Sequence, residues 1–196
     1  MSKLIFIHGN PSNFKIFSQL GTDNDVYLSL PGLPYSKLDF ETDIFKAADN
    51  LFDEIKHLPN YSIVAHDWGA LFALLIACKN PAAVKNFVFF NNCLGELDKL
   101  PSWLKAFRSG PLKYLSKKNP LFPFLAAIFG TSASRGLIIE PFLSGFSCEA
   151  TQKYIDLIPD KENRSKFLQL NRLAKDLNIF EKPVLIIWGV KDPVFN

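Results

Sequence analysis

YSIVAHDWGA, residues 61–70, joins an apolar run to an aspartate and then to small residues that open a second apolar run. The first part has the length and β-branched character of a buried strand. The run that follows, Leu71 to Cys78, is apolar almost all round, as a helix covered on every side would be. A carboxylate therefore stands where a core strand turns into a core helix. Around Asp67 the flanking residues are small: Ala65 two before, Gly69 two after and Ala70 three after. A sharp strand-to-helix turn needs small neighbours, and this is the pattern of a nucleophile elbow with aspartate in the position usually held by serine. Aspartate is also a favoured helix N-cap, so capping is the simpler role. Capping alone gives no reason for small residues on both sides.

Outward from this stretch the chain alternates. Strands are expected at Lys3–Ile7, Asp25–Leu30, Tyr61–His66, Asn86–Phe90 and Val184–Trp188, each short and apolar. The clearest helix is expected from Thr42 to Leu58, with Ile44, Ala48, Leu51, Phe52 and Ile55 on one stripe and Glu41, Asp43 and Asp49 outside it. Strand and helix in alternation with short links predict an α/β domain, a mostly parallel sheet of about five strands with helices on both faces.

The regularity breaks between Leu94 and about Leu177. A structureless loop of that length is improbable inside one sheet, so the region is expected to form a helical cap. The division is then a core from 1 to 93, a cap from 94 to 177 and a final core piece from 178 to 196. Within the cap NPLFPFLAAIFG, residues 119–130, falls short of the roughly 20 residues of a membrane span and reads as a helix packed on the core.

Composition agrees with one soluble domain. At 196 residues and 48% hydrophobic content the chain can bury a single core. Cys78, Cys93 and Cys148 are odd in number and lack metal spacing, which suits reduced thiols, a cytoplasmic setting and no metal or other cofactor. The net charge of +3 conceals an uneven distribution. Lys99, Lys105, Arg108, Lys113, Lys117, Lys118 and Arg135 are unbroken by any acidic residue. A solvated face is the simpler reading, and a positive entrance for an anionic substrate or an acidic membrane surface the sharper one. The aromatics cluster in apolar runs instead of interleaving with these bases, which argues against nucleic acid as a partner.

A second motif supports the first. His8-Gly9-Asn10-Pro11 follows the first strand directly, where enzymes with an elbow place a loop that donates a backbone N–H to an oxyanion hole. The expected donors are Asn10 and Trp68. Together HGNP and HDWGA resemble the α/β-hydrolase superfamily, in its aspartate-nucleophile branch of haloalkane dehalogenases and epoxide hydrolases. PVLIIWGVKDPVFN, residues 183–196, resembles the strand and loop that carry the catalytic acid in that branch, which implies Asp192 in that role.

The resemblance implies an α/β-hydrolase fold and a small organic substrate attacked by Asp67 to give an alkyl-enzyme ester. Asp67 is expected to be ionised at the helix N-terminus. Asn10 and Trp68 match the amide and indole donors that hold the departing halide in haloalkane dehalogenases, which ranks dehalogenation first. Epoxide opening needs phenol donors, for which Tyr114 and Tyr154 are available. The arrangement also resembles the related β-lactone decarboxylases. Trp103, Phe107, Phe122, Phe124 and Phe129 could line the pocket from the cap, with the same two tyrosines.

Ester cleavage needs a histidine base, which in elbow hydrolases follows the acid in chain order. The sequence holds only His8, His57 and His66, and Asp192 lies four residues from its end. His8 and His66 read as braces inside their motifs, and His57 is expected at the opposite end of the sheet. The expectation is a shortened enzyme with weak or no turnover. The alternatives are a ligand-binding homologue without catalysis, or a base supplied by a partner chain.

Overall fold

A computed structural model of the chain describes residues 3–10, 12–92, 148–157 and 161–190. The strands are β1 (Lys3–Ile7), β2 (Val26–Leu28), β3 (Tyr61–Asp67), β4 (Val84–Asn92) and β5 (Val184–Ile187). The helices are α1 (Ile44–Ile55), α2 (Trp68–Lys79), α3 (Cys148–Asp156) and α4 (Lys161–Asp176). All described strand pairs are parallel, in the order β2-β1-β3-β4-β5. Ile5 stands beside Ile63, Val64 beside Val88 and Phe89 beside Ile186, so each central strand presents apolar side chains to both faces.

The expected strands all form, with ends set by local hydrogen bonds. β2 is shorter than the Asp25–Leu30 run. The Asp25 carboxylate accepts from the backbone of Leu4 and Thr22, and the Leu30 N–H is diverted to His8 Nε2 at 3.2 Å. α1 starts at Ile44 because Asp43 caps it, its Oδ1 accepting from Phe45 N at 2.9 Å and Lys46 N at 3.4 Å. α2 begins three residues earlier than its apolar run suggests, immediately after Asp67.

α2 is the central helix. Every residue from Trp68 to Ala77 is buried, because α1, α4 and the sheet all pack against it. Asp49 of α1 pairs with Lys79 of α2 at the rim. α4 contributes Leu170 and Ala174 to the same core, and α3 contributes Ala150 and Tyr154. Among the described strands β5 lies at one edge of the sheet, opposite β2. Among the described residues no helix is long and apolar enough to cross a membrane.

Candidate active site

β1 and β3 are neighbours in a parallel sheet, so the segments leaving their C-terminal ends, His8–Asn10 and Asp67, emerge side by side. Asp67 has φ 51° and ψ −122°, a left-handed conformation that an L residue adopts only under constraint. Its side chain makes no capping bond to α2, unlike Asp43 on α1, so the capping role fails. Instead its Oδ2 accepts the Asn10 backbone N–H at 2.9 Å.

Two glycines make this approach possible. A Cβ on Gly9 would lie 2.4 Å from the Asp67 Cβ and 2.6 Å from its Oδ2. A Cβ on Gly69 would lie 2.2 Å from the Ile7 carbonyl oxygen and 2.7 Å from that of His8. Gly9 and Gly69 are therefore steric requirements: the first turn of α2 rests on the backbone leaving β1. Ala65 and Ala70, the other small neighbours, are fully buried.

His8 holds the first loop. It is buried, with Nε2 accepting from Leu30 N and Nδ1 placed 2.8 Å from the Gly9 carbonyl oxygen, an arrangement that requires the neutral Nδ1–H tautomer. Burial lowers its pKa from 6.5 to about 4; the hydrogen bond to Gly9 opposes this shift and His66 adds to it. Both ring nitrogens are committed to the backbone, so His8 braces the loop. His57 is exposed, four residues before β3 begins, whereas Asp67 ends that strand. A seven-residue strand separates the two ends by roughly 20 Å. His66 is half-buried next to Asp67 in the chain.

α3 closes the site from above. Asn10 Nδ2 donates to the Thr151 carbonyl oxygen at 3.3 Å. Trp68 is 6% exposed, with its ring edge-on to Tyr154 at 5.6 Å between centroids. The Tyr154 hydroxyl donates to the Pro31 carbonyl oxygen at 2.8 Å, and burial raises its pKa far above the usual phenol value. Tyr154 is thus brought beside Trp68, but its proton is already engaged by the backbone.

The structure brings together Asp67, Asn10, Trp68 and Tyr154. Asp192, Trp103, Phe107, Tyr114, Phe122, Phe124 and Phe129 lie outside the described residues. Asn91, in the left-handed region at φ 37°, accepts from Gly189 N at 3.2 Å and ties the end of β4 to the loop after β5. Neither Asn91 nor Thr151 has a spacing or motif that marks it in the sequence. Gly9 stands in a recognisable motif, but its contact with Asp67 is visible only in three dimensions.

No family model matches the chain. It is similar to a cis-3-alkyl-4-alkyloxetan-2-one decarboxylase of Shewanella oneidensis, at 27% identity over 157 residues, covering 74% of this chain and 49% of that protein. The chain thus spans about half the length of the curated relative it matches. In structure it is similar to the haloalkane dehalogenase DatA of Agrobacterium tumefaciens, with TM-score 0.69 and 22% identity over 95% of this chain and 71% of the other. It is similar also to the haloalkane dehalogenase DbeA of Bradyrhizobium elkani, with TM-score 0.68 and 17% identity over 96% and 81%. A lipase-esterase related protein of Clostridium acetobutylicum matches with TM-score 0.62 and 18% identity, over 98% and 87%. The chain has the α/β-hydrolase fold, in the form shared with haloalkane dehalogenases.

Proposed function

We propose that this α/β-hydrolase-fold chain is a hydrolase of the haloalkane dehalogenase type, with Asp67 as nucleophile in an elbow between β3 and α2. The observation that carries this reading is the state of Asp67. It sits in a left-handed turn, makes no capping bond to its helix, and is gripped through Oδ2 by Asn10 N at 2.9 Å. Strain of this kind costs about 1–3 kcal/mol and persists where neighbours over-determine it, commonly at reactive residues.

In the proposed step a carboxylate oxygen of Asp67 forms a bond to the substrate carbon as the carbon–halogen bond breaks. The halide leaves with the bonding pair. The indole N–H of Trp68 and the second N–H of Asn10 Nδ2, the one not given to the Thr151 carbonyl, are the donors assigned to the departing anion, and the burial of Trp68 strengthens its share of that interaction. Asp192 is the acid in this reading.

Hydrolysis of the ester is the slow half. His8 is committed to the backbone, His57 lies at the other end of the sheet, and His66 directly precedes Asp67 on β3, where successive side chains point to opposite faces, so none of the three is placed as its base. Loss of a general base costs about 10²- to 10⁴-fold. The 196-residue chain is therefore expected to form the ester once and to turn over poorly.

A second reading is favoured by the sequence relative named for an oxetan-2-one. The same aspartate would act on a strained four-membered lactone. Epoxide opening ranks lower, because Tyr154 gives its proton to Pro31. Incubation of the chain with a short bromoalkane, followed by measurement of free bromide, tests the proposal. One bromide per chain, then a much slower release, supports it; no bromide above a buffer blank refutes it.

A further inference from the structure

Two buried polar atoms beside the proposed nucleophile are left without hydrogen-bond partners among the described residues: Asn10 Oδ1 and Thr151 Oγ1. They belong to residues already in contact, since Asn10 Nδ2 donates to the Thr151 carbonyl oxygen. That donation fixes the orientation of the amide, because a carbonyl oxygen can only accept, so Oδ1 is the atom left without a partner and can only accept in turn. Thr151 is 4% exposed, on the helix that closes the site, and its hydroxyl can donate or accept. Asn10 grips Asp67 through its backbone N–H and Thr151 through its side-chain amide, so one residue links the carboxylate to the helix that carries Thr151. Burying an unpaired acceptor and an unpaired hydroxyl lowers stability, and a fold retains such atoms where something else satisfies them.

We propose that Asn10 Oδ1 and Thr151 Oγ1 form a recognition notch for a substrate that carries an O–H or N–H donor one to three bonds from the carbon attacked by Asp67. The substrate class is then a halogenated alcohol or a similarly hydroxylated electrophile. A plain haloalkane would leave both atoms unpaired on binding, which selects against it. The inference rests on the reading of Asp67 as nucleophile and sharpens it to a substrate class. Sequence gives no hint of the notch, because Thr151 lies in a polar helix in which any of several side chains could face outward.

The test uses two reagents of nearly equal size, 2-bromoethanol and 1-bromopropane. The rate of alkylation of the protein by each is followed by intact mass and divided by its rate with free acetate. The notch predicts a corrected preference for 2-bromoethanol of about tenfold or more, the worth of one satisfied hydrogen bond. Thr151→Val, which keeps the shape and removes the hydroxyl, should shrink that ratio towards one while its melting temperature holds or rises. Equal corrected rates in the unaltered chain overturn the notch and leave the nucleophile standing. A Thr151→Val chain that melts lower with the ratio intact also overturns it, by showing that the hydroxyl serves the fold. Labelling by neither reagent refutes the notch together with the nucleophile on which it rests.

Discussion

Gly9 lies so close to Asp67 that a β-carbon on Gly9 would come within 2.4 Å of the Asp67 β-carbon. The carboxylate is therefore held between the backbone of one loop and the start of one helix, and its position depends on a missing methyl group.

Gly9→Ala should displace the Asp67 side chain while leaving the sheet in place. A displacement near 1 Å at a reacting group costs on the order of 10²-fold in rate. The expected outcome is a folded protein, by circular dichroism, that alkylates about a hundredfold more slowly. An unchanged rate would show that the contact does not position the carboxylate.

Gly69→Ala is expected to act on the fold instead. Its β-carbon would meet backbone oxygens of Ile7 and His8, which cannot swing aside as a side chain can. Overpacking of this kind costs typically about 1–3 kcal/mol and more where backbone must move. Urea unfolding should place this variant below Gly9→Ala in stability.

The strain at Asp67 predicts an inverted order between glycine and alanine. Glycine adopts positive φ freely, whereas alanine carries the same steric penalty as aspartate. Asp67→Gly should be more stable than Asp67→Ala by about 1 kcal/mol or more in denaturant unfolding. The reverse order would mean that the turn relaxes when the carboxylate is removed.

The fold was largely legible, because each expected strand is a short apolar run that forms a strand and the longer apolar run after Asp67 forms α2. The ends were less so. Nothing periodic in β2 announces that Leu30 N will bond to His8, or that Asp25 will spend its carboxylate on Leu4 and Thr22. At the site, the sharp turn at Asp67 was legible from its small neighbours, and the structure supplies the reason for each glycine. Thr151 and Asn91 were not, since the bonds from Asn10 Nδ2 to the Thr151 carbonyl and from Gly189 N to Asn91 need no companion residues nearby in the chain. Tyr154 looked like a free phenol until its partner, Pro31, was seen 123 positions away.

Acid should weaken the fold through His8. Its folded pKa, about 4, lies below the ordinary value of 6.5, so the unfolded chain binds the proton first as pH falls. The contribution of neutral His8 is fully present above pH 6.5 and is lost progressively between 6.5 and 4. Its upper bound is about 3 kcal/mol. Urea midpoints at pH 7.5 and pH 5 should differ for the unaltered chain and converge for His8→Asn. Equal pH sensitivity in both would place the effect elsewhere.

The central claim is that Asp67 attacks carbon. Its most direct measurement is peptide mapping by tandem mass spectrometry after incubation with 2-bromoethanol, on the unaltered chain and on Asp67→Ala. The account predicts one hydroxyethyl group per chain, carried on Asp67 and absent from the variant. No adduct on a folded sample, or an adduct of equal extent on Asp67→Ala, would contradict it.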